Sequence, residues 1–415
     1  MQTPTYPTVR LNPKANARAI RHGFPWAYDN EVVTDRRTKA LQPGTVAVLE
    51  DADRQVMGLV AVNPASKIFC RMLDRDITQD IGQAWFARRL GTALAHRQRL
   101  FDAPFYRLVH AEADGLPGVV IDRFGDVAVV QPNAAWADTR LADLVAALAE
   151  VTGVTTIVKN GTGRARSLEG LNEETEVLTG AASGATALPM TLQVPVPMTL
   201  QVPVPMNGAI YMADVLGGQK TGLFFDQRPN HAFAQSLARG ARVLDVFSHV
   251  GGFGLAALGA GATSALAIDS SEPALALAVQ GAAEMGVADR FQTRKGDAFA
   301  ALEALASEGE TFDLVICDPP SFAPNKKALE AGLRAYERIA RGAAALVRPG
   351  GYLGLCSCSH AADLARFRAA SARGIGRAGR SAQLIHTGFA GPDHPQLPQL
   401  AESGYLKALF FRLVD

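Results

Sequence analysis

Short apolar runs alternate with longer helical stretches in the second half of the chain. The runs RVLDVFS, SALAID, DLVICD and GYLGLCS each end in polar residues, and segments such as EPALALAVQGAAEMG and ALEAGLRAYERIARGAAALV lie between them. Continuous apolar strands that alternate with helices are typical of a parallel sheet covered on both faces. This pattern predicts an α/β domain beyond about residue 206.

Two smaller units precede this domain. Residues 1 to about 75 hold the runs TVAVLED and VMGLVAVN between proline and glycine turns, which predicts a β-rich module. From about 76 to 185, the helical stretch AWFARRLGTALAHRQRLF precedes the strands YRLVHAE, GVVIDRF and VAVVQP, a second helix and the strand TTIVKN. The octapeptide MTLQVPVP then occurs twice, at 190–197 and 198–205. Two proline-containing copies are too few for a solenoid, so we interpret them as a linker or edge segment.

Aspartates stand where the first three strands of the α/β domain end. Ligands of parallel sheets bind beyond the carboxyl ends of the strands. Asp245 precedes the glycine-rich turn FSHVGGFG, where its charge would repel a pyrophosphate but could bind the ammonium group of a methionine moiety. Asp269 suits ribose hydroxyls, and Asp297, in KGDAF, suits an adenine amino group. Each aspartate alone is commonly a helix cap, but three at successive strand ends favour a nucleoside cofactor.

The fourth strand leads into the turn VICDPPSF. Pro319 and Pro320 stiffen this turn, so that the Asp318 carboxylate is held towards a substrate. Phe322 offers a ring on which a flat base can stack. The alternative interpretation is a rigid loop with a buried phenylalanine.

Charge is nearly balanced across the chain. Its 415 residues, more than one core usually supports, include 41 Lys and Arg against 40 acidic residues. Attraction to nucleic acid must therefore come from local basic faces. One such face lies near the amino terminus beside Trp26 and Tyr28, and it suits phosphate contact and base stacking as well as plain solvation. Its basic residues are Arg10, Lys14, Arg18, Arg21, Arg36, Arg37 and Lys39.

Hydropathy and cysteine usage exclude several classes of protein. The amino terminus lacks an apolar leader and no window approaches the ~18 apolar residues of a membrane helix, so we expect a cytoplasmic protein with no membrane contact. Cys70, Cys317, Cys356 and Cys358 are spaced too unevenly for a disulfide framework and should be free thiols. Only the last two, followed by His360, are close together, so we expect no metal site.

Several motifs together resemble the RlmI-type class I methyltransferases, which use S-adenosylmethionine to form 5-methylcytosine in large-subunit ribosomal RNA. These motifs are DVFSHVGGFG, DPPSF and CSCSH, preceded by GGQKTGLFFDQRPN. The resemblance extends upstream to RLVHAEADGLPGVVIDRFG and downstream to DHP at 393–395 and GYLKA at 404–408. It implies ribosomal RNA as the partner, and it leaves a homodimer open.

The resemblance also implies a three-domain organisation. A PUA-like RNA-binding domain over 1–75 would be followed by an α+β EEHEE middle domain over 76–185. A Rossmann-like methyltransferase domain with an N-terminal hairpin would then occupy 186–415.

Site residues follow from the same resemblance. The stretch KTGLFFDQR would form a hairpin over the cofactor, beside the glycine-rich turn and the strand-end aspartates. The expected cofactor contacts are Phe225, Asp226, Arg228, Asp245, Ser248, Gly251, Gly252, Asp269, Asp297 and Asp318. The expected substrate contacts are Pro319, Pro320 and Phe322.

The chemistry of cytosine requires one well-placed cysteine. Carbon-5 of the ring becomes nucleophilic only after a thiolate has added to carbon-6. Cys358 matches the family's cysteine in the SCS motif, and Asp318 would pair with the ring nitrogen and amino group of a flipped cytosine. The base that removes the carbon-5 proton stays open among Asp318, His360, Asp393 and a water. Cys317 and Cys356 are expected to pack inside strands.

Other functions are compatible with parts of this pattern. A methyltransferase acting on guanine or on an exocyclic base nitrogen would use the same cofactor site without needing Cys358. A nonenzymatic RNA-binding assembly factor would keep the fold without binding the cofactor. A dinucleotide oxidoreductase is disfavoured by Asp245 and by the missing GxGxxG motif.

Overall fold

Each of two structural units is built from three separate stretches of the chain. The computed structural model describes residues 6–179, 199–218 and 221–415. The first unit comprises residues 1–200, 215–222 and 392–403, and the second comprises 201–214, 223–391 and 404–415.

A five-stranded sheet with the order β1-β3-β4-β5-β2 opens the first unit. Its strands are β1 (Thr8–Arg10), β2 (Trp26–Tyr28), β3 (Thr45–Glu50), β4 (Val56–Val62) and β5 (Ile68–Asp74). Two short helices accompany it, α1 (Ala17–Arg21) and α2 (Arg36–Lys39). The strands are apolar because one face of the sheet covers its own small core, which includes Val9, Leu49 and Phe69.

A second five-stranded sheet, with the order β10-β9-β8-β7-β6, follows in the same unit. Its elements are α3 (Gln83–Leu100), β6 (Phe105–His110), β7 (Val119–Phe124), β8 (Val127–Pro132), α4 (Ala135–Thr139), α5 (Leu141–Thr152), β9 (Thr156–Lys159), α6 (Arg164–Leu168) and β10 (Glu176–Thr179). The strand–strand–helix–strand–strand pattern is present in β7, β8, α5, β9 and β10, with β6 added at one edge. Buried Trp85, Phe86 and Trp136 form its aromatic centre, where the last two rings stack 5.6 Å apart.

The second unit begins with a two-stranded antiparallel hairpin and continues as a three-layer α/β fold. The elements of its first part are β11 (Gln201–Met206), β12 (Ala209–Asp214), α7 (Arg228–Ser236), β13 (Arg242–Val246), α8 (Gly252–Gly259), β14 (Ser264–Asp269), α9 (Glu272–Glu284), β15 (Phe291–Lys295) and α10 (Ala298–Ser307). Those of its second part are β16 (Phe312–Cys317), α11 (Leu329–Ala345), β17 (Val347–Ser357), α12 (Leu364–Arg377), β18 (Ala382–Gly388) and β19 (Lys407–Leu413).

Seven of these strands form one sheet with the order β15-β14-β13-β16-β17-β19-β18. The five strands from β15 to β17 are parallel, and β19 runs antiparallel to both β17 and β18. The parallel sheet predicted from the alternating pattern is therefore confirmed. Its core is continuous from Leu244 and Ile268 to Phe312 and Phe367, since helices cover both faces.

One element prediction is wrong. The stretch KTGLFFDQR was expected to form a hairpin, but residues 225–227 form a 3₁₀ helix that continues into α7. The hairpin lies earlier, in β11 and β12. The second copy of the repeated octapeptide contributes most of β11, and the first copy, at 190–197, lies outside the described residues. Pro203 and Pro205 are tolerated in β11 because this strand has a partner on one side only.

Candidate active site at the carboxyl edge of the parallel strands

The predicted site residues lie along one edge of the seven-stranded sheet. Strands β15, β14, β13, β16 and β17 are neighbours in that order and parallel, so their carboxyl ends share an edge. Asp297, Asp269, Asp245, Asp318 and Cys358 close or follow these five strands in the same order. Residues distant in sequence are thus brought into one row of polar side chains.

Asp245 is the most deeply buried member of this row, with no exposed surface. Its Oδ2 accepts hydrogen bonds from the backbone N–H groups of Phe253 (3.1 Å) and Gly254 (2.8 Å) at the start of α8. Its Oδ1 is buried and has no hydrogen-bond partner in the described part of the chain. Burial raises the pKa of the Asp245 carboxyl to about 7, and the charge of Asp269 adds to the rise, against the two N–H groups. An unpaired buried carboxylate oxygen suits a cationic ligand.

The turn between β13 and α8 is strained. Phe247, His249 and Gly251 have φ angles of 63°, 50° and 81°, in the left-handed region that non-glycine residues avoid. Such strain is often retained at functional sites because the surrounding structure enforces it. The buried Ser248 hydroxyl has no hydrogen-bond partner among the described residues, so a second polar atom is available beside Asp245.

The other two strand-end aspartates hold backbone N–H groups. Asp269 accepts from His249 (2.9 Å) and Ser271 (2.8 Å), which ties the strained turn to the end of β14. Asp297 is exposed and caps α10 by accepting from Ala300 (3.0 Å). The capping role considered for the strand-end aspartates therefore holds for Asp297, whereas the N-cap of α9 is Ser271. The contacts of Asp269 and Asp297 with the cofactor remain predictions.

The 3₁₀ helix before α7 contributes a further group of polar residues. Asp226 is buried and accepts a hydrogen bond from the Tyr405 hydroxyl (2.5 Å). The Arg228 guanidinium lies 5.6 Å from the centre of the buried Phe225 ring. Gln227, which the sequence reasoning missed, donates to Asp318 Oδ2 (2.9 Å) and accepts from Asn230 (2.6 Å).

The turn after β16 contains two consecutive prolines and a packed aromatic ring. Pro319 is buried and Pro320 is exposed. The half-buried Phe322 ring contacts Phe299 and Tyr336 at centroid distances of 6.2 and 5.1 Å. It is therefore packed by other rings as in the alternative interpretation, and base stacking on its remaining surface stays a prediction.

Cys358 is partly accessible, whereas Cys70, Cys317 and Cys356 are buried. Burial raises the pKa of the Cys317 and Cys356 thiols, as befits side chains inside strands. All four thiols are free. The expectation that Cys317 and Cys356 pack inside strands is confirmed. Cys358 is the thiol that is accessible to a substrate.

A chain of buried hydroxyls fixes the loop that carries Cys358. The Ser357 and Ser359 hydroxyls lie 2.9 and 2.7 Å from the Tyr336 hydroxyl of α11. Ser359 also lies 3.0 Å from the Ser321 hydroxyl and accepts from Ala323 N–H (2.9 Å). The two serines of the SCS motif therefore face inwards and connect this loop to the DPPSF turn.

Two of the candidates for the proton-removing base differ in their surroundings. His360 is exposed in the turn after Cys358. Asp393 is fully buried in the first unit, where its Oδ2 accepts from Arg107 N–H (3.1 Å) and its Oδ1 lies 3.0 Å from His394 Nδ1. These contacts favour a structural role for Asp393.

Two of the seven basic residues noted near the amino terminus form ion pairs. Arg10 and Arg21 bind Glu50 and Asp51. The Trp26 indole N–H donates to Glu112 (2.9 Å). The exposed members of the amino-terminal set are Lys14, Arg18, Arg36, Arg37 and Lys39, together with the paired Arg21.

The described residues contain neither a cluster of metal-binding side chains nor a membrane-spanning helix. Across 6–179, 199–218 and 221–415, no three His, Cys, Asp or Glu side chains are grouped so that they could hold a metal ion. No helix within these ranges combines the length and hydropathy needed to cross a bilayer.

Two family profiles match separate parts of the chain. A profile of S-adenosylmethionine-dependent methyltransferases matches residues 199–412, and a PUA-like domain profile matches residues 9–75. A ribosomal RNA large subunit methyltransferase of Deinococcus radiodurans is 34% identical over 420 residues, which cover 98% of each chain. Ribosomal RNA large subunit methyltransferase I of Alteromonas mediterranea is 35% identical over 411 residues, which cover 98% of this chain and 99% of the relative.

Solved structures share the fold. A Streptococcus mutans protein described as an S-adenosylmethionine-dependent methyltransferase gives a TM-score of 0.78 at 18% identity, covering 98% of this chain and 100% of its own. A structure described as a methyltransferase complexed with SAH gives the same TM-score and identity. The predicted fold class, a PUA-like domain followed by a Rossmann-like methyltransferase domain, is confirmed. S-adenosylmethionine is confirmed as the cofactor of the matching family.

Proposed function

Because this chain belongs to the family of S-adenosylmethionine-dependent ribosomal RNA large subunit methyltransferases, we propose that it methylates carbon-5 of a cytosine in large-subunit ribosomal RNA. The reaction proceeds through a transient covalent bond between Cys358 and the base. The observation that carries this proposal is the accessible thiol of Cys358 at the end of β17, in the row that Asp245 and Asp318 share.

The residues of the row fit the cofactor. Asp245 Oδ1 is an unpaired buried acceptor for the ammonium group, and the Ser248 hydroxyl is a second polar partner beside it. Glycine is required at both positions of the turn: Gly251 has a φ of 81°, and a Cβ added at Gly252 would lie 3.0 Å from His231 Nε2. Asp269 and Asp297 stand at the next two strand ends, where ribose and adenine would lie. Bound S-adenosylmethionine supplies an electrophilic methyl group.

Cys358 supplies the nucleophile. Its thiolate forms a bond to carbon-6 of the ring, and the electron pair of the carbon-5–carbon-6 double bond moves so that carbon-5 becomes nucleophilic. After carbon-5 has been methylated, a base removes its proton, the double bond returns and the bond from Sγ to carbon-6 breaks. The enzyme thiol is regenerated, so the chemistry balances without an oxidant or reductant.

Asp318 orients the base. Gln227 holds Asp318 Oδ2 at 2.9 Å, so the carboxylate direction is set before a substrate arrives. The carboxylate can accept from the amino group of a flipped cytosine and so hold the ring in position for attack by the thiolate.

Replacement of Cys358 tests the proposal. Cys358→Ala is expected to abolish formation of 5-methylcytosine, with a rate loss of at least about a thousandfold, because no other accessible thiol can replace it. Binding of S-adenosylmethionine, measured by calorimetry, should be unchanged. Cys70→Ala is the control, since that thiol is buried in the first unit. Mass spectrometry of ribosomal RNA from cells with and without the protein reads out the modified base.

Two alternative functions give different results in this experiment. A methyltransferase for guanine or an exocyclic base nitrogen would keep its activity in Cys358→Ala and would place the methyl group on nitrogen. A nonenzymatic assembly factor would fail to bind S-adenosylmethionine and would leave the modification profile unchanged when deleted.

The remaining expectations follow from this function. We divide the chain into a PUA-like RNA-binding domain over 1–75, a middle domain over 76–185 and the methyltransferase domain over 186–415; the profile match over 9–75 supports the first of these. A ribosomal RNA substrate agrees with the cytoplasmic location expected from the sequence. A homodimer stays a prediction, to be tested by light scattering.

A further inference from the structure

A lysine from the carboxyl-terminal strand lies under the loop that carries Cys358. Lys407 begins β19 and pairs with Ser357 across the antiparallel register with β17. The residue is only 5% exposed. Its ammonium group donates to the backbone carbonyls of Ser359 (2.7 Å) and Ala362 (2.8 Å), on the carboxyl side of Cys358.

Burying an ammonium group with two carbonyl partners is costly unless a negative charge is near. Burial lowers the pKa of Lys407, whereas negative charge at Cys358 and at Asp363 raises it. Charge at Cys358 therefore acts on Lys407, and by reciprocity the ammonium group acts on the thiol.

The other groups around Cys358 act in the opposite direction or carry no charge. Tyr336 of α11 is neutral, because burial raises the pKa of its hydroxyl. Asp318, at the end of β16, and Asp363, at the start of α12, are carboxylates that disfavour a second negative charge. His360 is exposed to solvent. Lys407 is thus the buried cation that faces this loop from the described elements packed against it.

We propose that Lys407 is a positioning residue for Cys358: its ammonium group stabilises the thiolate form and holds the loop that aims the sulfur at the base. This inference rests on the proposed function, since it assigns a role in the attack on carbon-6. On ionisation, the S–H bond breaks and the proton passes to water, while Lys407 keeps its own protons and compensates the new negative charge.

The pH profile of thiol alkylation tests this inference without RNA or cofactor. Iodoacetamide is added to the full-length protein from pH 5.5 to 9.5, and modification of Cys358 is followed by mass spectrometry. The reaction reports on one residue because the other three cysteines are buried. The wild-type midpoint is expected well below the ordinary value for a thiol, about 8.5.

Three variants separate charge from hydrogen bonding. Lys407→Gln keeps N–H donors for the two carbonyls but removes the charge, and alkylation at pH 7 should slow by about tenfold. Lys407→Arg keeps the charge and should keep the low midpoint. Lys67→Gln removes an exposed lysine of the first unit and should match the wild type.

Two results would overturn the inference. One is a Lys407→Gln profile that superimposes on that of the wild type. The other is a wild-type midpoint at or above about 8.5, which needs no variant to fold.

Failure of the proposed function looks different. If Cys358→Ala methylated normally while Lys407 still controlled alkylation, the thiolate stabilisation would stand and its catalytic role would fall. If Cys358→Ala were inactive and Lys407→Gln alkylated like the wild type, only the role of Lys407 would be wrong.

Discussion

Asp245 combines a buried carboxyl group, two N–H donors on one oxygen and no partner for the other. Because its pKa is raised to about 7 in the folded protein, the protonated form is favoured below about pH 7 when no ligand is bound. Its contribution to stability is therefore fully present below the ordinary pKa of an aspartate, about 3.9, and is lost as the pH rises through about 7. A bound cationic ligand would instead lower the pKa of Asp245, since a nearby ammonium group stabilises the carboxylate form.

We therefore predict that S-adenosylmethionine binds more tightly as the pH rises from 6 to 7. The carboxylate fraction of Asp245 grows about fivefold over this range, and the α-amino group of the ligand stays protonated, so the affinity should rise by about that factor. Calorimetry in buffers of different ionisation enthalpy should detect proton release. Asp245→Asn should bind weakly at both pH values with no such trend. A wild-type affinity that falls towards pH 7 would contradict the assignment of the ammonium contact.

The turn between β13 and α8 needs glycine to keep its backbone conformation. Gly251 has a φ of 81°, and an added Cβ would lie 3.1 Å from Leu255 and 3.2 Å from Ala278. Gly251→Ala should lower the free energy of unfolding by about 1 kcal/mol or more and weaken S-adenosylmethionine binding, because the turn shifts. Gly240 has a φ of 72° with open space around it, so Gly240→Ala carries the same backbone cost without affecting cofactor binding. If both variants lost the same amount of S-adenosylmethionine affinity, the turn at Gly251 would not be part of the cofactor site.

The link between α11 and the Cys358 loop gives another test. Tyr336→Phe removes the hydroxyl that lies 2.9 and 2.7 Å from Ser357 and Ser359. We expect a loss of about 1–2 kcal/mol in stability and a kcat about tenfold lower, with unchanged affinity for S-adenosylmethionine. Tyr352→Phe is the control, because Tyr352 is a half-buried residue of β17 that precedes Cys358 by six positions. A normal kcat in Tyr336→Phe would mean that the loop does not need this support.

Much of the catalytic sheet was predictable because its strands are apolar throughout and end in polar residues. The runs around Asp245, Asp269 and Asp318 became β13, β14 and β16 almost as read. The pattern did not reveal β18 and β19, whose antiparallel pairing depends on contacts distant in sequence. Nor could it locate Lys407 near Cys358, 49 positions earlier, since only the register of β17 with β19 brings them together.

Local resemblance misled in one place for a physical reason. The stretch around Phe225 contains aromatic residues that suit a strand, but Pro229 follows Arg228 at the first turn of α7, a position that starts helices. Gln227 was overlooked because an isolated glutamine carries no chemical pattern; its function appears only through its contact with Asp318.

On the scale of the whole molecule, the first unit depends on residues from the far end of the chain. Arg97 of α3 has no exposed surface; it binds Asp114 through two N–H groups (2.7 and 2.6 Å) and donates to the backbone carbonyl of Asp393 (3.1 Å). Thr221 donates to Asp122 (2.5 Å) in the same unit. The DHP motif at 393–395 thus joins a buried polar network, which explains its presence without a catalytic role.

Asp393→Ala is accordingly predicted to destabilise the protein and to spare the chemistry. Loss of the acceptor for Arg107 N–H should cost about 2–3 kcal/mol, seen as a lower temperature of unfolding in calorimetry. Methylation per folded molecule at low temperature should persist. Asp53→Ala, at an exposed site of the same unit, should change stability by less than about 0.5 kcal/mol. An unchanged unfolding temperature with complete loss of methylation would instead identify Asp393 as the proton-removing base.

The interleaved chain also has a consequence for biosynthesis. Residues 392–403 complete the unit that residues 1–200 begin, so nearly the whole polypeptide must leave the ribosomal exit tunnel before that unit can reach its native state. Nascent chains stalled shortly after residue 200 should therefore be more sensitive to protease than the released protein. The last segment to be translated closes the structure that was translated first.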